Sequence, residues 1–337
     1  MTIIPEAGFI TAGNYPDDDP TGGLRAQLDL FAWGEQLGYD TAGVRQRHLE
    51  HGVSSAATFL AAATQRTERI TLESDVFPLG FESPFRAAED AATIAALAPG
   101  RFNVGISVAT PHADLLKPLS APLIDQSANR YLPAELFLEA LRGTYLGEEG
   151  QTIDTPDGPQ RPRIQPHIPG ILDDVWYGGG SESSIRWAAS QGLSLLLGNL
   201  TSAPEGIDSF REARLQQLAL YTEAFVGKPE NLRVAVERVI VPLDGADETS
   251  RAKYRAFAEG RHARTLQAHG PTRIFFEPDL VGFAEEIIEG LASDPVYDGR
   301  TRLRISLPYS FAPHEYRQIL QDIAEKVLPH VGWAPRT

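Results

Sequence analysis

A closed (β/α)8 barrel, the TIM-barrel form of the α/β class, is the fold this sequence predicts, and three observations predict it. Short apolar runs alternate with longer amphipathic ones along all 337 residues. The short runs have strand length and the long ones helix length, so each helix supplies the crossover between parallel strands. The cycle counts to eight, and the polar residues suited to chemistry fall just after the strands, where such a barrel builds its site. The length suits one barrel with insertions. Residues 1–337 therefore read as a single domain, with insertions after strands four and seven at about 147–170 and 244–300.

The first strand is Ala7–Ala12, and an acidic turn-rich loop leads into a helix over Leu24–Leu37 that Gly38 closes. Thr41–Arg45 is the second strand, followed by the polar run Gln46–His51 and a serine-capped helix over Ser55–Arg66. The third unit is the strand Ile70–Leu79 with the helix Ser83–Leu97, and Arg101–Ala109 is the fourth strand. Pro111–Pro122 reads as a loop and Gln126–Leu146 as the fourth helix; residues 147–170 hold many Pro, Gly and Asp and read as irregular or hairpin. Asp174–Tyr177 is the fifth strand, with the run Gly178–Ser184 leading into a helix that ends at Gln191. Leu193–Leu197 and a helix over Ser209–Phe225 follow, then the alternating valine strand Leu232–Val241. The second insertion holds an arginine-rich helix, Arg251–Gln267; the last elements are the helix Val281–Leu291, the strand Leu303–Leu307 and the helix Tyr316–Leu328.

Composition narrows the function. A formal net charge of −15 argues against nucleic acid and against an anionic membrane surface, both of which want a basic face. The chain has no cysteine, which removes disulfides, thiolate metal sites and a Cys nucleophile. No signal-peptide pattern opens the sequence and no run approaches the roughly 20 apolar residues of a membrane span, so a cytoplasmic location is expected.

Four constellations bear on chemistry. Gly178-Gly179-Gly180-Ser181 joins a strand to a helix N-terminus, where free N–H groups and the helix dipole attract an anion, and Ser184 adds a hydroxyl. The same residues also make a simple tight turn with a serine cap. In Gln46–His51, a histidine offers a general base or a hydrogen bond to a cofactor ring, whereas the plain alternative is a solvated loop. A metal is set aside there, because the spacing of His48 and His51 is not that of a helical zinc motif. Asp75 interrupts an apolar strand, so it is either functional or ion-paired with Arg45 or Arg47. Arg130 and Arg142 read as surface arginines of the fourth helix, and His112 and Asp114 as mouth-lining candidates after strand four.

Several stretches, in order, resemble the bacterial luciferase-like flavin monooxygenase superfamily: Gly38–Leu49, Ala61–Leu72, Ser83–Ile94, Pro99–Gly105 and Trp176–Leu193. The resemblance is dense over 30–110 and 170–200 and looser elsewhere. It implies a barrel that binds FMN at its C-terminal mouth, takes the flavin reduced from a separate reductase, and uses O2 to oxygenate a small organic substrate. By position, it implies that Gly179, Gly180, Ser181, Ser184 and Arg130 hold the FMN phosphate. It likewise places a cis Asp75–Val76 peptide beneath the flavin, Ser107 and Asn199 along the ring, and Arg47 and His48 at its reactive edge, with Asp75 catalytic beside them. His112 and Asp114 then belong to a loop over the substrate. Two departures stand out. The family's Glu-His-His-Phe element is Gln46-Arg47-His48-Leu49 here, so arginine replaces the histidine often taken as the base; and Val108 stands where luciferase has an arginine. Arg47 suits electrostatic stabilisation of an anion better than proton abstraction. The same fold with deazaflavin F420, transferring hydride, and a non-catalytic flavin-binding protein are the two alternatives. The family also implies a homodimer through its second and third helices, where Ala56–Ala63 and Ala87–Ala96 allow close packing unless those alanines face the barrel.

Overall fold

The computed structural model describes residues 4–116 and 124–336. Eight parallel strands form its frame: β1 Ala7–Thr11, β2 Thr41–Val44, β3 Thr71–Ser74, β4 Phe102–Ser107, β5 Val175–Gly178, β6 Ser194–Leu197, β7 Val234–Arg238 and β8 Arg302–Ser306. They pair in the order β3-β2-β1-β8-β7-β6-β5-β4, and β3 pairs with β4 to close the ring. The predicted (β/α)8 barrel is therefore the observed fold. Around it lie α1 Pro20–Gln36, α2 Ala56–Ala63, α3 Pro84–Leu97, α4 Leu132–Arg142, α5 Glu182–Ser190, α6 Phe210–Ala224, α7 Glu248–His262, α8 Ala284–Ala292 and α9 Pro313–Asp322. Ser55, Ser83, Ser181 and Ser209 each cap a helix by accepting a hydrogen bond from a first-turn N–H. Each such cap is worth about 1 kcal/mol.

The strands' outer faces and the helices make the core. Phe9 of β1 packs edge-on against Phe31 of α1 and against Tyr39, at 5.7 and 5.6 Å between ring centres. The inner face is unusually ionic. Glu73 lies opposite Asn103 and Gly43, and Arg304 opposite Gly8 and Glu237. Arg304 donates to both oxygens of Glu73 at 2.9 and 3.1 Å and reaches Glu6 at 2.9 Å, while Asn103 donates to Glu73 at 2.8 Å. A buried guanidinium is tolerated because two carboxylates meet its fork.

Several boundaries differ from the sequence reading. The fourth helix shortens to Leu132–Arg142, since Pro133 cannot sit in a helix interior and Gly143, at φ 68°, turns the chain left-handed. Arg130 thus precedes the helix instead of lying on it, whereas Arg142 is a surface residue paired with Glu139 at 2.5 Å. The valine strand is cut: Val234–Arg238 belongs to the barrel, and Ile240–Pro242 pairs outside it with Leu280–Gly282. Val281 consequently lies in a strand, and the helix expected from there begins at Ala284. The run Arg251–Gln267 is helical over Glu248–His262, and residues Ile153–Thr155 and Gly158–Gln160 form the hairpin expected near 147–170. Of the loop expected at Pro111–Pro122, Ala113–Leu116 is a short helix and 117–123 lie outside the described residues. The small residues of α2 and α3 are largely spent inside the chain: Ala56, Ala63, Ala88, Ala91 and Ala92 are fully or almost fully buried. They face the barrel and neighbouring helices, the alternative left open above. No helix among the described residues is long and apolar enough to cross a membrane.

Candidate active site

The loops after the strands converge at one mouth. From β2 comes Arg45, whose guanidinium sits between two buried carboxylates: Asp75 after β3, at 3.4 Å, and Glu237 of β7 in closer contact. It also donates to Ser306 Oγ of β8 at 3.2 Å. Two carboxylates here face one cation. Burial pushes the Asp75 carboxyl well above the ordinary range, and the Glu237 charge adds to it; Arg45 offsets only part. Burial opposes the charge on Arg45, but Glu237 and Asp75 outweigh it and hold the guanidinium protonated. Apart from the 3.4 Å contact with Arg45, the buried Asp75 Oδ2 has no hydrogen-bond partner among the described residues. The peptide that follows it, Asp75–Val76, is cis. The Val76 side chain fills space left by glycines: a Cβ on Gly178 or Gly105 would come within 2.9 or 3.1 Å of its Cγ1.

His48 lies in the loop that follows β2, two residues beyond Gln46. Its Nε2 is 3.1 Å from the Gln46 amide, which also donates to Glu82 at 2.6 Å, and its ring packs on Phe81 at 4.8 Å. Burial lowers the His48 pKa below the ordinary value despite the Glu82 charge, so the imidazole is neutral at pH 7 and can accept a proton. Arg47 pairs with Glu50 at 3.0 Å and lies 5.2 Å from the ring centre of Tyr309. His112 reaches the same Glu50 at 3.6 Å, which draws the loops after β2 and β4 together. Ser107 ends β4 in a buried position, paired with Pro78. Asp114 does not join the cluster; it is exposed on the short helix Ala113–Leu116.

The glycine turn lies at the end of β5. Ser181 Oγ accepts from the Ser184 N–H at 3.2 Å and contacts the Ser184 hydroxyl at 2.8 Å, while the Glu182 and Ser183 N–H groups have no acceptor among the described residues. Gly180 is fixed from behind by the Gln217 amide, which donates to its carbonyl. A Cβ on Gly179 would come within 2.9 Å of the Tyr177 ring, so the turn needs glycine there on packing grounds alone. Beside it, Tyr131 stacks on Trp187 of α5 at 4.7 Å, Tyr177 packs on the same indole at 4.9 Å, and the exposed Arg130 guanidinium lies 5.5 Å from the Tyr131 ring. Tyr131 Oη is buried with no hydrogen-bond partner among the described residues. A buried hydroxyl left unpaired costs about 1–3 kcal/mol.

A cleft of ≈ 480 Å³ opens between these groups and the segment 257–276; Arg45, Arg47, Asn199, Ser306 and Tyr309 line it. Asn199 carries the cleft wall toward that segment, its carbonyl accepting from the Glu277 N–H at 2.9 Å. The mouth thus gathers Arg45, Arg47, His48, Asp75, Asn199 and His112, while Arg130, Gly179, Gly180, Ser181 and Ser184 form a second group at the glycine turn. Sequence reasoning missed Glu237, Tyr131 and Tyr309. Glu237 carried the signal that marked Asp75, a charge inside an apolar strand run; Tyr131 and Tyr309 carried none.

The chain belongs to the luciferase-like monooxygenases, whose family model matches residues 7–293. It is accordingly an oxidoreductase of the monooxygenase class. The protein y4wF of Sinorhizobium fredii is 30% identical over 235 residues, 67% of each chain. The oxygenating constituent of 3,6-diketocamphane monooxygenase from Pseudomonas putida, solved with FMN, superposes with a TM-score of 0.69 at 14% identity over 98% of each chain. An F420-dependent secondary alcohol dehydrogenase superposes with a TM-score of 0.63 at 13% identity, over 97% of this chain and 99% of that one.

Proposed function

We propose that the protein binds FMN, receives it reduced from a separate reductase, and uses O2 to oxygenate a small organic substrate. The observation that carries this reading is the Tyr131 hydroxyl, unpartnered among the described residues, beside the exposed Arg130 and the unbonded Glu182 and Ser183 N–H groups that open α5. Together they make a cradle for a dianionic phosphate. When bound, FMN supplies the electrons that activate oxygen. Everything else falls to the chain's own residues. Ser181, Ser184, Gly179 and Gly180 orient the phosphate, with Arg130 and Tyr131 completing its shell. Val76 and Ser107 fix the plane against which the ring system lies, and Asn199 borders its far side. Asp75, its carboxyl pushed well above the ordinary range by burial, holds a proton at the mouth and donates it as a hydrogen bond toward developing negative charge. His48 accepts a proton, and Arg47 contributes positive potential where the family's usual histidine would serve as base. His112, tied to Glu50, holds the loop that covers the substrate.

The proposal places the enzyme in the cytoplasm as a homodimer; the dimer rests on the family resemblance, since the alanines of α2 and α3 are mostly used within the chain. F420 is the second reading, favoured by the F420-dependent structural relative. Fluorescence titration of the purified protein with FMN and with F420 separates the two, with stopped-flow oxidation of bound reduced FMN by O2 as the functional arm. FMN is expected to bind and to react with oxygen at a rate unlike that of the free flavin. Binding of F420 with rejection of FMN would overturn the proposal.

A further inference from the structure

The cleft over the mouth reverses the charge balance of the chain. The sequence holds 45 acidic against 30 basic residues, yet the cleft is lined by Arg45, Arg47, Arg261 and Arg264 and by no carboxylate. Three of these cations are already matched: Arg45 by Asp75 and Glu237, Arg47 by Glu50, and Arg261 by both oxygens of Asp279 at 2.6 and 3.0 Å. Arg264 is not. It makes no ion pair among the described residues, its Nε is buried without a hydrogen-bond partner, and burial together with the nearby Arg261 disfavours its charge. Its guanidinium carbon lies over the Phe276 ring, 4.5 Å from the ring centre, and the same cleft presents Phe257 and Tyr309. Arg264 follows α7, in the arginine-rich segment whose role the catalytic reading leaves unassigned.

A half-buried arginine lying over an aromatic ring keeps its planar fork preorganised for a carboxylate or another planar oxyanion. The surrounding rings offer faces for a second aromatic system. We propose that this cleft is the substrate subsite and that it selects an aromatic anion, with Arg264 pairing the acidic group and Phe276, Phe257 and Tyr309 contacting the ring. This deepens the proposed function, since it names the substrate class of the same mouth.

The test is equilibrium dialysis of 2-naphthoate, 2-naphthamide and acetate against the full-length protein, with and without saturating FMN. FMN affinity is measured separately, and Arg264→Gln is run in parallel. 2-Naphthoate is expected to bind roughly ten- to hundredfold more tightly than 2-naphthamide, the scale of one hydrogen-bonded charge pair. Acetate should bind more weakly than 2-naphthoate, because it lacks the ring. R264Q should erase the preference for acid over amide while leaving FMN affinity unchanged and the protein folded by circular dichroism. Equal binding of acid and amide, a preference that survives in R264Q, or displacement of 2-naphthoate by FMN would each overturn the assignment. A failure of FMN to bind while the naphthoate preference persists would refute the flavin reading and uphold the subsite, so the two are told apart.

Discussion

Replacing Arg45 by methionine keeps an unbranched apolar stem and removes the one cation that two buried carboxylates share. In the native protein, Arg45 meets Asp75 and Glu237, both nearly inaccessible, and bonds to Ser306. Stranding a buried charge costs about 3–5 kcal/mol, and the loss of the Ser306 bond falls within that range. The penalty must also depend on pH. Without the cation, the folded state holds the Asp75 proton still more tightly than the unfolded chain does. A group whose folded pKa is raised contributes its full stability below the unfolded value, near pH 4, and loses it as pH climbs through the folded value. The destabilisation of R45M is therefore expected to be largest near pH 8 and to shrink toward pH 5. Urea unfolding at the two pH values measures it, and R45M/E237Q should recover most of the loss at the higher pH, because one stranded carboxylate is gone. A loss below about 1 kcal/mol, or an equal loss at both pH values, would refute the claim that Arg45 neutralises this pair.

Asp75→Asn follows the same logic with the opposite sign. The folded pKa of Asp75 is raised, so the native protein loses stability as pH rises above about 4, and D75N should gain on wild type with increasing pH in the same urea assay. At the glycine turn, Arg130→Ala is expected to weaken FMN binding by about 1.5–3 kcal/mol, read by fluorescence titration. Tyr131→Phe removes a hydroxyl that has no partner among the described residues, so it should weaken FMN binding without lowering the melting temperature. His48 should titrate in NMR with a midpoint below the ordinary histidine value, and mutation of Glu82 to glutamine should lower it further, since that carboxylate is the one charge favouring the imidazolium.

Much of the architecture was legible because it is written locally. Ser55, Ser83, Ser181 and Ser209 announce helix starts through side chains that reach only three residues along. The strands show themselves as short apolar runs between turn formers. The fourth helix was overextended because its periodicity continues past Gly143, which ends it through backbone conformation rather than hydrophobicity. The site was harder to read, because its chemistry is long-range. Arg45 and Glu237 lie 192 positions apart and meet only after the barrel closes, so Asp75 could be flagged as anomalous but not given its second acidic neighbour. Arg130 is singled out by resemblance alone, and its surroundings, the stack of Tyr131 on Trp187 beside the glycine turn, exist only in three dimensions.

The most direct measurement of the central claim is a crystal structure of the protein soaked with FMN. The account predicts the phosphate within hydrogen-bonding distance of Ser181, Ser184, Arg130 and Tyr131 Oη, with the ring system lying over the Asp75–Val76 peptide. A phosphate bound elsewhere, or a ring excluded from the mouth, would contradict it.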